Sequence, residues 1–391
     1  MALVYCTRCV MPNSRPNLHF NEHGVCSACV LAEQKKKVID WKAREKEFAA
    51  LFDKFRAKNP GKWDCIIPVS GGKDSTYQVH IVKNVYKMNP LAVTFRTDAR
   101  TKLGEHNIQS LREMGVDHID VTPNPIGFNK LRKKTFEQEG DCSLPDHLAI
   151  YAVAPLMAVK FNIPLVIWGE NPDMEYGAHP DLQHISQLNR DWLKHAHILK
   201  GKSAEEWADK DLPISELLTL IYPSEEELDA IGYTPIFLGY YLPWDADQNN
   251  RIAKQYGFRS RKAGPIMGLY DYADIDCEHI VIHHYFKWLK FGFNRITDNA
   301  CNEIRKGRMT REEAIKLVRE KDGVKPPKEY IANFCRRIGI TEKHFWEVAE
   351  RFRNKSIWKQ TPQGEWYIDG WIGGDKVPDR FGFEPLSEEE K

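Results

Sequence analysis

The chain has 391 residues, of which 42% are hydrophobic and 28% charged, enough apolar mass for one large domain or a main domain with accessories. A formal net charge of +1 supplies no strong field toward nucleic acid or an anionic membrane, although a local basic patch can hide in a neutral total. The opening Met1-Ala2-Leu3-Val4-Tyr5-Cys6 lacks the basic start and apolar run of a signal peptide, and no uncharged stretch is long enough to span a bilayer. Nine cysteines, an odd count without an export signal, lead to the expectation of a cytoplasmic protein with reduced thiols.

Residues 1–32 are short and rich in turns, with Pro12, Pro16 and Gly24 as breakers. Cys6 and Cys9, then Cys26 and Cys29, stand as two C-x-x-C knuckles. Each can present two thiolates to one ion, and together they complete a tetrahedral four-sulfur site. An iron–sulfur cluster also uses four thiolates, but paired knuckles at this spacing favour Zn²⁺. Such a site has no open coordination position, so the metal is structural and its binding drives the folding of a segment too small for its own core. Buried or redox-active thiols are the plainer alternative. From Ala32 to Lys58 the apolar residues Trp41, Phe48, Leu51, Phe52 and Phe55 recur at helical spacing, until Asn59-Pro60-Gly61 stops the helix.

Strands and helices then alternate. Cys65–Val69 reads as a buried strand, and the helix after it shows Tyr77, Ile81, Val82 and Val85 on one side. Leu91–Phe95 is a second strand, followed by a helix around Asn107 to Met114; His118–Val121 is a third. A long helix containing Ala149 to Val159 leads to a fourth strand, Leu165–Trp168, and Pro235–Tyr241 is a candidate fifth. This alternation predicts an α/β fold with a doubly wound parallel sheet. Asn171 to Gly232 reads as a polar, largely helical insertion. Beyond Asn249 the chain reads as helical, including Ile280–Phe293 and Thr310–Lys321, with Glu388–Lys391 as a frayed end.

The strongest signal is the passage from strand to Ser70-Gly71-Gly72-Lys73-Asp74-Ser75 to helix. A polyphosphate needs several backbone N–H groups aimed at one spot with no side chain in the way. Two adjacent glycines meet that demand, and the helix adds its positive N-terminal end. Lys73 can neutralise phosphate charge. Asp74 cannot help an anion directly, so its natural role is to hold Mg²⁺. The bland alternative is an ordinary strand-to-helix turn. The string resembles the PP-loop of N-type ATP pyrophosphatases, which cleave ATP between the α and β phosphates and adenylate a substrate oxygen. That resemblance implies adenine near Val69 and Phe95, with Gly169 and Glu170 bordering the same crevice, where the open-sheet rule also puts a ligand.

Further motifs carry a narrower resemblance. Cys6-Thr7-Arg8-Cys9-Val10-Met11-Pro12, the 70–75 loop, Trp168-Gly169-Glu170-Asn171, Tyr241-Leu242-Pro243-Trp244-Asp245, Lys287-Trp288-Leu289-Lys290-Phe291-Gly292-Phe293 and Gly307-Arg308-Met309-Thr310-Arg311-Glu312-Glu313-Ala314 are together similar to the N-acetyl sugar amidotransferase family. The likeness runs from about Tyr5 to Trp358, with Asn294 departing where a second glycine is expected. It implies ATP-dependent conversion of a sugar's N-acetyl group to an acetamidino group in bacterial surface-polysaccharide or nonulosonic-acid biosynthesis. It also implies a nucleotide-linked sugar substrate and a separate glutaminase subunit, accompanied in some systems by a barrel-type synthase. No N-terminal cysteine nucleophile or convincing nucleophile turn stands in the chain itself.

The resulting organisation is a zinc module at 1–32, a connecting helix at 33–60, a PP-loop ATP pyrophosphatase domain at 61–243 with an insertion around 172–232, and a mainly helical region at 244–391. Glu170, Asp181, Asp274, Asp276 and Asp298 are acidic candidates for a second metal contact or for substrate polarisation, against simple solvation or capping. Lys262 could meet a pyrophosphate or lie in a solvated loop. Cys142 reads as a packed thiol, and His283 with His284 as core or interface. A tRNA-thiolating PP-loop enzyme with a structural zinc is the rival reading, but it usually needs central-domain cysteines, and the five outlying ones form no pair.

Overall fold

Alternate residues of the apolar runs pack on opposite sides of one sheet, as pleating requires. In the computed structural model, which describes residues 3–58, 61–177, 186–188, 190–195, 199–374, 377, 381, 387 and 390, Cys65, Ile67 and Val69 belong to one core and Ile66 to another. Leu165 and Ile167 separate in the same way from Val166 and Trp168. Such doubly buried strands belong to parallel sheets with helices on both faces.

In chain order the elements begin with α1 (Ser27–Lys37), α2 (Trp41–Lys58), β1 (Cys65–Pro68), α3 (Lys73–Val79), β2 (Pro90–Phe95) and α4 (Lys102–Arg112). There follow β3 (Asp117–Val121), α5 (Pro125–Glu139), α6 (Leu144–Phe161), β4 (Leu165–Trp168), α7 (Pro172–Tyr176), α8 (Arg190–His195) and α9 (Glu225–Ile231). Then come β5 (Thr234–Phe237), α10 (Leu238–Tyr241), α11 (Ala246–Gln255), α12 (His279–Phe291), α13 (Arg295–Lys306), α14 (Arg311–Lys321), α15 (Lys328–Ile338) and α16 (Glu342–Arg351). A short antiparallel hairpin, β6 (Trp358–Gln360) and β7 (Trp366–Ile368), follows. The five-stranded sheet is parallel throughout, in the order β3-β2-β1-β4-β5. Strand order reverses at β1, which opens a crevice at the C-terminal ends of β1 and β4. Among the described residues no helix is long and apolar enough to cross a membrane.

Several local expectations change. The backbone after α3 widens into a π-helical turn, His80–Val85; the altered register buries Ile81 and Val82 but leaves Val85 exposed, at 51%. The fifth strand ends at Phe237, because Leu238–Tyr241 curls into a helical turn whose Gly239 N–H donates to Gly169 O at 2.9 Å. The described part of the 172–232 insertion holds only short helices and 3₁₀ turns. At the C-terminus Glu388, Glu389 and Lys391 lie outside the described residues, but Glu390 is buried, and its carboxylate accepts from Lys262 N at 2.9 Å. Asn59 and Pro60, at the helix stop, also lie outside the described residues.

The cysteine knuckles pack into the same core as the C-terminal helices: Cys6, Cys9 and Val10 cluster with Val281, Trp288, Phe334 and Phe345. Two distant ends of the chain therefore stabilise one another. Helix α2 both leads to β1 and covers the sheet with Phe48, Phe52 and Phe55. Asn294, the departure from glycine, has φ −128° and caps α13, so no left-handed backbone is needed there.

Candidate active site

The 70–75 loop turns at Gly71, whose φ of +80° favours glycine. A Cβ at Gly71 would stand 2.7 Å from the Ile108 backbone nitrogen, so α4 passes too close for a side chain. Gly72 then caps α3, its carbonyl accepting from the Ser75 and Thr76 hydroxyls at 3.0 and 3.1 Å. This leaves the loop's backbone and the helix N-terminus facing the crevice. Lys73 Nζ lies 2.6 Å from Asp74 Oδ2, and Asn249 Nδ2 of α11 donates to Asp74 Oδ1 at 2.8 Å. Asn249 was not visible as a site residue in the sequence; only its place four residues after the Asp245 cap hints at it.

Val69, Ser70, Asp74, Ser75, Phe95, Gly169 and Glu170 all line one cavity of about 500 Å³ at the strand ends. Gly71, Gly72 and Lys73 line an adjoining recess with Ser70 and Asp74. One part of the cavity wall is apolar, with Val153, Ala154, Leu188 and Phe237, which suits a purine face; another is polar, with Arg100, Asp146 and Asp276. Gly169 is small for a reason: a Cβ would meet the Gln78 amide at 2.9 Å and the Trp244 ring at 3.1 Å. Gln78 in turn donates to Ile167 O at 3.2 Å, which ties α3 to β4.

Glu170 is half-buried. Burial first, then the Glu175 and Asp74 carboxylates, push its carboxyl up to about 7. Asp274 and Asp276 line the recess beside the 70–75 loop, and Asp298 lines a second cavity. Asp181 lies outside the described residues. Asp274 is committed to Arg295 Nε at 2.9 Å, and Asp298 to Arg15 at 2.5 Å and to Lys287. Despite burial, these cations hold both carboxyls below the usual carboxylate range. Lys262 lines none of these cavities. Cys142 is fully buried and its thiol donates to His279 O at 3.6 Å; burial pushes it up to about 12. His283 and His284 do more than fill core, since both line the second cavity.

That second cavity encloses about 1160 Å³ and shares His147, Ile150, Tyr151, Glu170 and Pro172 with the first. Part of its wall is the loop between the knuckles, Arg15, Pro16, Asn17 and His19. The knuckle helix also buttresses the segment after Glu170: a Cβ at Gly177, where φ is +84°, would stand 2.7 Å from the Ala28 nitrogen. Lys35 pairs with Glu175 at the same joint.

The Sγ atoms of Cys6, Cys9, Cys26 and Cys29 are buried and lie within 4.8 Å of one another. Cys9 Sγ and Cys26 Sγ are 3.7 Å apart, close to the edge of about 3.8 Å that a tetrahedron with Zn–S bonds of about 2.3 Å requires. Backbone N–H groups of Arg8 and Cys26 donate to Cys6 Sγ at 3.4 and 3.3 Å, as suits a thiolate. The four residues fit a closed tetrahedral ion such as zinc.

Residues 255–369 match the family described as LPS biosynthesis protein WbpG-like, C-terminal domain. Two of the motifs that carry the sequence resemblance, 287–293 and 307–314, fall within the matched residues. An uncharacterized protein of Methanocaldococcus jannaschii is 30% identical over 86 residues, 17% of this chain, and the chain spans 31% of that relative's length. The solved NMN synthetase from Francisella tularensis is similar over 83% of this chain and 99% of its own, at 12% identity and a TM-score of 0.33.

Proposed function

We propose that the chain is an ATP-dependent amidotransferase that converts the N-acetyl group of a nucleotide-linked sugar to an acetamidino group. The observation that carries this reading is the shared wall: the cavity at the 70–75 loop and the second cavity have Tyr151 and Glu170 in common, so an adenylate formed in one would lie beside an acceptor in the other. The WbpG-like match supports a role in lipopolysaccharide biosynthesis.

An amide carbonyl is a poor electrophile. In the first step its oxygen attacks the α-phosphorus of ATP, pyrophosphate leaves, and an O-adenylated imidate results. Ammonia then adds to the carbon, AMP departs with the former carbonyl oxygen, and loss of a proton leaves the amidine. Lys73 and the Gly71–Gly72 backbone orient the phosphates, while Asp74, steadied by Asn249, would hold Mg²⁺, which supplies charge neutralisation on the polyphosphate. The four-cysteine set would hold a structural zinc. Ammonia comes from a separate glutaminase subunit, and the nucleotide substrates place the reaction in the cytoplasm. An enclosed route would also keep water from hydrolysing the adenylate.

The test is to supply purified chain with ATP, UDP-N-acetyl sugars and either ammonium or glutamine, following AMP and product mass. AMP release with ammonium but not glutamine supports the reading, and Lys73→Ala and Asp74→Ala should each lower the rate roughly a hundredfold or more. Efficient use of glutamine without a partner sinks the two-subunit scheme. ATP turnover that depends on tRNA, not on a sugar, sinks the amidotransferase itself.

A further inference from the structure

The second cavity is large for a bare monosaccharide: about 1160 Å³, where roughly 300–1,000 Å³ already holds a drug-sized ligand. Its walls combine two features of a sugar site. Tyr151 and Tyr176 bring aromatic rings to the wall, and buried polar atoms stand ready for hydroxyl or amide groups. His284 is only 5% exposed, its Nε2 lies 3.5 Å from Asp274, and its Nδ1 is buried without a hydrogen-bond partner. His147 Nδ1, on the wall shared with the nucleotide cavity, is likewise buried and unpartnered.

Lys290 distinguishes this cavity further. It lines the second cavity but not the first. Its ammonium donates to the Glu139 carbonyl at 2.6 Å, and the described residues offer it no carboxylate at ion-pair distance. Burial pushes it down to about 8, so it remains mainly charged near neutral pH. Arg15, Lys287 and Arg295, by contrast, are each tied to an aspartate. The nearest carboxylates, Asp141 and Glu139, act on this half-buried cation only from beyond ion-pair distance, so a charge-assisted bond to a ligand anion would complete its pairing.

We propose that this cavity seats the acceptor, an N-acetylated sugar that bears an anionic group, with its acetamido end at Tyr151 and Glu170 and its anion on Lys290. The assignment rests on the amidotransferase reading above. The anion is the diphosphate of a sugar nucleotide or the carboxylate of a sugar acid. The loop between the cysteine knuckles thereby becomes part of the substrate site, through Arg15 and His19.

Binding of UDP-N-acetylglucosamine and of N-acetylneuraminic acid to the full chain, measured by saturation-transfer NMR and calorimetry, tests this apart from turnover. At least one probe should bind, and which one identifies the anion. Lys290→Met should weaken that probe about ten- to hundredfold, Lys290→Arg should retain most of the affinity, and the Kd for an ATP analogue should not move. Should Lys290→Met not fold, His19→Trp, at an exposed position on the rim, should also weaken the probe. Binding of neither probe overturns the assignment, as does binding that neither variant weakens, even where AMP release persists. Probe binding that Lys290→Met abolishes, without any sugar-driven AMP release, keeps the cavity and sinks the amidotransferase reading.

Discussion

The cavity proposed for the nucleotide and the cavity beside it are built from very different lengths of chain. The first has its candidate phosphate loop in six consecutive residues after β1, with Val69, Phe95, Gly169 and Glu170 at or just beyond strand ends and part of its wall from α6. The second is assembled from the knuckle loop, the start of α6, α7 and α12, which lie far apart in sequence. A loop that cradles phosphate depends on backbone geometry and announces itself through glycine. A cavity walled by side chains from many distant segments depends on how those segments pack. The difference makes the second site hostage to the shared core of knuckles and C-terminal helices.

The strongest test of that dependence is metal removal. Structural zinc contributes on the order of 10 kcal/mol to small domains, and here the four thiols sit in the core that contains Trp288, Trp358 and Trp371. About one zinc per chain is expected, and chelation or Cys26→Ser should abolish the near-ultraviolet signal of those tryptophans. Bound iron with visible charge-transfer absorption, or an unchanged spectrum after chelation, would break the comparison.

On the nucleotide side the largest effect is expected at Arg132, whose side chain is 0% exposed and pairs with Asp98 at 2.9 Å and Asp146 at 2.5 Å behind the cavity wall. Arg132→Ala strands two buried carboxylates and should cost about 3–5 kcal/mol in urea unfolding. A loss under about 1 kcal/mol would show that water reaches the pair.

Glu170, on the wall common to both cavities, links them through pH. Its carboxyl titrates at about 7 in the folded chain against 4.5 ordinarily, so the folded state holds the proton more tightly. Below pH 4.5 the group is neutral in both states and contributes no penalty. Between pH 4.5 and 7 the penalty grows, and above 7 it is complete, at most about 3 kcal/mol. Glu170→Gln should therefore be more stable than the parent above pH 7 and equal to it below 4.5; denaturation at several pH values would show otherwise if the two curves run parallel.

Gly71→Ala should lower stability by about 1–3 kcal/mol through the left-handed backbone, with ATP-analogue binding impaired and sugar-probe binding intact. Equal loss of both ligands would mean that the two cavities are not separable. The smallest effect is expected at Thr310, which closes a capping box with Glu313 at the start of α14. Thr310→Ala should lower the melting temperature by the equivalent of about 1 kcal/mol while leaving ATP-analogue binding unaltered.

The parallel sheet, the phosphate loop and the four-thiol cluster were legible in the amino-acid sequence because each rests on short-range rules: two-sided apolar strands, adjacent glycines before a helix, and paired knuckles. Val69, Phe95, Gly169 and Glu170 could be placed with them because the resemblance to PP-loop enzymes implied it and strands in a parallel sheet end on one edge. What tertiary structure alone decided is everything that depends on distant segments meeting. The π-turn that turns Val85 to solvent, the helical curl after Phe237 and the burial of Glu390 each follow from a neighbour that periodicity does not reveal. Asn249 reaches Asp74 only because α11 packs along α3, and Lys290 comes to line one cavity with Arg15 and His19, which stand far from it in sequence. Local backbone preference travels with the residues themselves; a side chain's partner across the fold is set by the packing of the whole core.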